Sequence, residues 1–145
     1  MAELVQASHM LRIATRGKGF TDITEELRRW LGGISAEDGL ITAFVCHTSA
    51  SLIIQENADP NVRLDLMTAL EGLAPEGDHY AHDEEGPDDM PSHIKSMLTQ
   101  VSLSIPVMRG RMVLGTWQGV YLIEHRSAPH ERNVALSFLG HCADA

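Results

Sequence analysis

Apolar residues recur every second position over long parts of this chain, and helical spacing takes over in between. Residues 40–46 are β-branched and aromatic, and Ile41, Ala43, Val45 and His47 fall on one side of an extended backbone. A second strand is predicted over 51–55, after a short link. Beyond residue 101 the pattern predicts strands over 102–107, 112–117, 120–126 and 133–139, with a turn at 108–111. A looser alternation (Leu4, Gln6, Met10, Arg12, Ala14) suits an opening strand, closed by a turn at Arg16-Gly17-Lys18-Gly19.

Helical periodicity appears three times. Ile23, Leu27, Trp30 and Leu31 share one face, with Asp22 and Glu25 spaced as a capping box and Gly32-Gly33 as the stop. Asp59-Pro60 places a capping side chain before a proline at the first helical position, and Val62, Leu66, Ala69 or Leu70, and Leu73 form the buried stripe. Asp89 caps a short third helix with Pro91 in its first turn and Ile94, Met97 and Leu98 facing inward. Strands mixed with segregated helices predict an α+β fold in place of a parallel βαβ sheet. The 145 residues suit one domain over 1–145.

Charge narrows the partners. The formal net charge of −9 and the scattered 11 basic residues argue against a nucleic-acid backbone, which needs clustered Lys and Arg. No apolar run approaches the roughly 20 residues that cross a bilayer. Met1-Ala2-Glu3-Leu4 lacks the start of a secretion signal, so a cytoplasmic location is the simplest reading. Cys46 and Cys142 lie far apart without CxxC spacing, as reduced structural thiols would.

Three stretches set a histidine beside acids or hydroxyls. His47 ends an apolar strand face before Thr48 and Ser49, whose hydroxyls and turn N–H groups suit a ligand. It reads as a ligand or acid/base group at a cleft rim, or as a histidine satisfied by a carbonyl. His93 lies in a helical first turn, which favours anions. His125 shares the Tyr121/Ile123 strand face, with Glu124 and Arg126 on the other. Residues 76–89 hold seven acids, two histidines and no Lys or Arg. They read as a long solvated loop, or as a source of metal ligands in His79, His82, Asp88 and Asp89, a donor set suited to Zn, Mn or Mg. Glu56-Asn57-Ala58-Asp59 reads as a helix cap before a ligand group. Trp117-Gln118-Gly119 predicts a bulge or a close backbone approach, with Gln118 as a substrate contact and the Trp117 ring in the core or on a ligand. Arg126, Lys95 and Arg63 are either anion-binding or plain surface charges.

Longer motifs carry a resemblance. Cys46-His47-Thr48-Ser49-Ala50-Ser51-Leu52 with Ile54-Gln55-Glu56-Asn57-Ala58-Asp59-Pro60, then Asp88-Asp89-Met90-Pro91-Ser92-His93-Ile94-Lys95, then Leu114-Gly115-Thr116-Trp117-Gln118-Gly119-Val120-Tyr121-Leu122 with Glu124-His125-Arg126 closely resemble the YjbQ family. The match spans nearly the whole chain and departs at Ser92, where alanine is common. The resemblance implies an α+β β-sandwich of about seven to eight mostly antiparallel strands with two or three helices, packed as a homotrimer. It also implies that His47, His93 and His125 are site residues in a polar cleft near a subunit boundary. For activity, it implies weak thiamine phosphate synthase-type transfer, joining a pyrimidine diphosphate to a thiazole phosphate.

In that scheme His47, His93, His125 and Glu124 are catalytic. Thr48, Ser49, Trp117, Gln118, Arg126 and Lys95 bind the phosphorylated substrate, Tyr80 is an alternative stacking ring, and Asp88, Asp89 or Glu124 hold Mg²⁺. A Gly-rich phosphate cradle is missing. Two other readings stand beside it. One is a metal-dependent hydrolase whose cation is held by His47, His93 and His125 with Asp88 or Asp89. The other is a non-enzymatic trimer that binds a metal or a small anion.

Overall fold

Among the described residues every strand pairing is antiparallel. The computed structural model describes residues 3–144. In chain order these form β1 (Val5–Ala14), β2 (Gly19–Asp22), α1 (Thr24–Gly33), β3 (Ala36–Val45), β4 (Ala50–Glu56), α2 (Pro60–Leu73), α3 (Asp89–Leu98), β5 (Ser102–Met108), β6 (Arg111–Met112), β7 (Gln118–Glu124) and β8 (Glu131–Cys142). One sheet runs β1-β8-β3-β5-β6 and the other β2-β7-β4. The α+β class predicted from the pattern is the one observed.

The alternation explains the layering. Ile41, Ala43 and Val45 of β3, Leu103, Ile105 and Val107 of β5, and Leu136 and Phe138 of β8 point into one core. Ala50 and Leu52 of β4, Val120 and Leu122 of β7, and Ile23, Leu27 and Leu31 beside α1 close it from the other side. Strand β7 is buried on both faces (Gly119 through Glu124), because α2 and α3 cover the face that turns away from this core. Tyr121 there takes the Arg63 guanidinium of α2 at 3.1 Å. Gly39 of β3 lies opposite Gly140 of β8, and a Cβ on either would come within 2.3 Å of the facing carbonyl oxygen. Only glycines let these two strands approach so closely.

Several expectations shift. Asp22 does support the start of α1, but it accepts the N–H of Thr24 at 2.9 Å, while Glu25 pairs with Arg28. Residues 19–22, expected as part of a turn and cap, form the short strand β2. The strand expected over 112–117 shrinks to Arg111–Met112, joined to β5 by a tight turn with Arg109 and Gly110 at positive φ (52° and 78°). Trp117 is therefore 63% exposed and not in the core. Gly119 pairs with Gln55 in unbroken register, so no bulge forms there. The close approach is real: a Cβ at Gly119 would stand 3.1 Å from the Tyr121 ring. The largest change concerns α3. Met97 and Leu98 are exposed, and Leu73 of α2 is exposed as well. The inward face of α3 is Asp89, Ser92, Lys95 and Ser96.

Candidate functional site

A helix that turns polar side chains inward needs polar partners, since buried polar groups are costly unless hydrogen-bonded. Those partners lie at the ends of β3 and β7, where the first and third histidine stretches come beside the start of α3. Arg126, just past β7, donates through Nε to Asp88 at 2.9 Å and through Nη1 to Asp89 at 2.8 Å. Its Nη2 reaches the Glu85 carbonyl at 2.9 Å, and the Ser127 N–H adds a bond to Asp88 at 2.8 Å. Burial pushes the Asp88 carboxyl up, but the Arg126 and Ser127 bonds win and hold it at about 2. Asp89 is held below its ordinary range too, because its bond to His82 and the charges of His93 and Arg126 outweigh its burial.

Arg126 occupies Oδ1 of Asp89, which leaves Oδ2 facing two imidazoles. His82 Nε2 lies 2.7 Å from Oδ2, and His93 Nε2 lies 3.2 Å away. His93 Nδ1 is 2.9 Å from the Thr48 carbonyl, a pure acceptor, so Nδ1 carries a proton and donates. His93 Nε2 is thereby the nitrogen turned towards Asp89 Oδ2, and either a proton or a cation joins the two. One ligand atom from each of His82, Asp89 and His93 lies within 4.8 Å of the others. Two imidazoles and one carboxylate fit a borderline divalent cation. Three protein ligands leave a position open, as catalytic sites do and closed structural sites do not. The Thr48 carbonyl on His93 and the Arg126 guanidinium on Asp89 supply the outer bonds that orient such ligands.

The other expected site residues fall into separate hydrogen-bonded groups. His47 accepts the Asn133 N–H through Nε2 at 2.8 Å, which puts its proton on Nδ1 and leaves neither nitrogen free to ligate without rearrangement. Burial and the Arg132 charge lower its pKa. Glu124 faces the core between the sheets and accepts from Arg132 (2.8 and 2.5 Å) and Thr15 (2.6 Å). Those bonds keep it ionised despite burial. Ser49 Oγ accepts from the same arginine at 2.9 Å. His125 is fully buried on the opposite face of β7, 2.8 Å from Ser51 Oγ, with Nδ1 unpartnered. Burial, then the nearby Lys95 charge, lower its pKa to about 4. Lys95 is 1% exposed and pairs with Glu71 of α2, which also holds Lys18 at 3.2 Å. Gln118 turns back to accept the Gly115 N–H at 2.7 Å, and Tyr80 donates to the Pro75 carbonyl.

So His93 and Asp89, two of the five expected ligands, converge. Asp88 acts as a buttress for Arg126, and His47 and His125 stand outside the group. The third member is His82 from the acidic loop, which sequence reading flagged only by composition. No pattern in the chain ties His82 to residues seven and eleven positions further on. Only the loop's return onto α3 does.

Comparison with known proteins agrees with this architecture. The chain is 49% identical over 136 residues to the UPF0047 protein sll1880 of Synechocystis, with 93% of this chain and 92% of that one covered. It is 44% identical over 131 residues to the UPF0047 protein YjbQ of Salmonella typhimurium, covering 90% and 95%. The conserved hypothetical protein TT1486 of Thermus thermophilus superposes with a TM-score of 0.78 at 37% identity, covering 88% and 97%. A YbjQ-like protein of unknown function from Sulfolobus solfataricus shares the fold at a TM-score of 0.88 and 20% identity, covering 96% and 100%. A family model described as UPF0047 protein YjbQ-like matches residues 9–141, and the chain belongs to that family.

Proposed function

We propose that this protein holds a divalent metal ion at His82, Asp89 and His93 and uses it to hydrolyse a small metabolite. The observation that carries the reading is the convergence of one ligand atom each from His82, Asp89 and His93 within 4.8 Å of one another, with the opposite ring nitrogen of His93 tied to the Thr48 carbonyl. Such a cation supplies Lewis acidity and lowers the pKa of a water it holds. The protein's own part is positional. Arg126 and Thr48 fix the aim of Asp89 and His93, and half-exposed His82 leaves the group open to solvent. Glu85, 3.7 Å from His82 and exposed, is a carboxylate placed to take up a proton.

Thiamine phosphate synthase-type transfer finds less support. It needs cations free for a diphosphate leaving group, whereas Lys95 is committed to Glu71 and Arg126 to Asp88 and Asp89. We propose further that the chain assembles as a homotrimer, using the uncovered face of the five-stranded sheet. Calorimetric titration of chelator-treated protein with Zn²⁺ and Mn²⁺ tests the site. One ion per chain is expected, and His82→Ala and His93→Ala should each weaken its binding by more than the roughly 10–100-fold that removing an outer bond alone would bring. No binding by the wild type sinks the reading. Binding without metal-dependent cleavage of p-nitrophenyl phosphate or p-nitrophenyl acetate reduces it to a metal-binding protein.

A further inference from the structure

A cavity of about 460 Å³ that shares no lining residue with the metal group lies between α1 and the β5–β6 hairpin, lined by Arg28, Leu31, Gly110, Arg111, Met112 and Leu114. We infer that it binds a small organic oxyanion, a carboxylate or phosphate monoester carried on a short apolar body. The volume lies within the range of small-molecule sites, roughly 300–1,000 Å³. Its composition is the argument. Leu31 and Met112 are buried and Leu114 packs against the core, so the base is apolar. Arg28 and Arg111 are exposed, and no carboxylate lines the cavity.

That lining is unusual in a chain of net charge −9. Two other surface cavities set acids against their arginines, one Glu26 against Arg29 and another Glu37 and Asp38 against Arg109. A third, on the outer sheet face, contains no Asp, Glu, Lys or Arg. Among the described residues Arg111 has no acidic partner, and Arg28 pairs only with Glu25. Those two side chains are 56% and 70% exposed, so their pairing is weak and an incoming oxyanion can replace it. Arg28 and Leu31 are three residues apart on one helical face, which places charge and apolar surface side by side. Guanidinium suits both carboxylate and phosphate through paired N–H donors. None of the lining residues belongs to the proposed metal group, so this site stands or falls separately.

The test is a titration of chelator-treated, isotope-labelled protein followed by amide NMR, with phenyl phosphate, benzoate and neutral benzyl alcohol as probes. Saturable shifts are expected at the amides of Gly110, Met112 and Leu114 with the anions and not with the alcohol. Tighter binding of phenyl phosphate assigns the site to phosphate monoesters, and equal or tighter binding of benzoate assigns it to carboxylates. Arg28→Ala and Arg111→Ala should each weaken the anion about tenfold, and Arg111→Glu should abolish its binding, with the remaining spectrum unchanged. The inference is overturned by an absence of shifts at these amides up to about 10 mM, by an equal response to benzyl alcohol, or by full binding in Arg111→Glu.

Discussion

Arg126 answers two buried carboxylates with one guanidinium, and its removal isolates the contribution of that pairing. Arg126→Gln leaves Asp88 and Asp89 with most of their charge and fewer donors, which should cost about 3 kcal/mol near neutral pH. Asp88 is depressed to about 2 from its ordinary 3.8, so its stabilisation is complete above the unfolded value and fades as pH falls through the folded one. Urea unfolding of both proteins from pH 6 to pH 2 should show a steady gap above about pH 5 that narrows below 4. A gap that persists at pH 2 would assign the loss to packing. His125, depressed as well, follows the same linkage sign in a higher pH window. Its folded pKa of about 4 lies below the unfolded value, so the unfolded chain binds the extra proton between them, and stability should fall as pH drops from 6.5 to 4. His125→Gln should flatten that slope by on the order of 3 kcal/mol, whatever its effect at pH 7. At this scale the sequence was legible only in part. It placed His93, Asp89 and Arg126 among the site residues, but gave Arg126 to a substrate anion or the surface and not to Asp88 and Asp89. It did not separate His47 from the group, because the Asn133 N–H that occupies its ring belongs to a strand 86 residues away.

Helix α3 shows how an element can be found correctly and oriented wrongly. Asp88, Asp89 and Pro91 mark its start, but Asp89 is its first residue and not its cap, and the N-cap Asp88 commits its carboxylate to Arg126 and Ser127. Met97 and Leu98 point to solvent while Lys95 is sealed beneath Glu71. Apolar periodicity finds the inner face of an element that packs on a hydrophobic core. It fails for one that packs on a polar layer over β7. Strand β2, four residues containing Thr and Asp, was likewise too short and too polar to register, and pairing with β7 creates it. The long strands β3, β5 and β8 were legible because their alternation matches one buried face. Lys95 also yields a prediction at this scale. Removing the ammonium strands no buried charge, because Glu71 is 41% exposed and keeps Lys18. Lys95→Met fills the same volume without a charge to desolvate, so its thermal midpoint should match or exceed that of the wild type. Lys95→Ala opens a cavity in the same place and should cost about 2–3 kcal/mol. If Met destabilises as much as Ala, the ion pair itself supports the packing of α3.

Over the whole molecule, the five-stranded sheet has one face in the core and the other bare. Registers across β1, β8, β3 and β5 set three rows side by side there: Met10, Ala135, Phe44 and Ser102; Ser8, Ser137, Thr42 and Ser104; Gln6, Leu139, Leu40 and Pro106. No position in these rows carries charge, although 21% of the chain is charged. Met10, Leu40, Phe44 and Leu139 are 41–51% exposed, in two rows that flank the row of hydroxyl side chains, and such an uncharged, partly apolar face is of the kind that marks protein contacts. Solvent does not select against charge on a bare sheet face, but a partner surface does. A closed threefold ring repeats one contact three times, so a single substitution on this face weakens all three at once. Light scattering should give three times 15.9 kDa for the wild type. Phe44→Asp sets an unpaired carboxylate in the contact, which should cost about 3 kcal/mol or more and weaken assembly on the order of 100-fold. Its mass should fall towards that of one chain at micromolar concentration, with the circular dichroism of the fold retained. A monomeric wild type would rule out the ring, and an assembled Phe44→Asp would move the contact to another face.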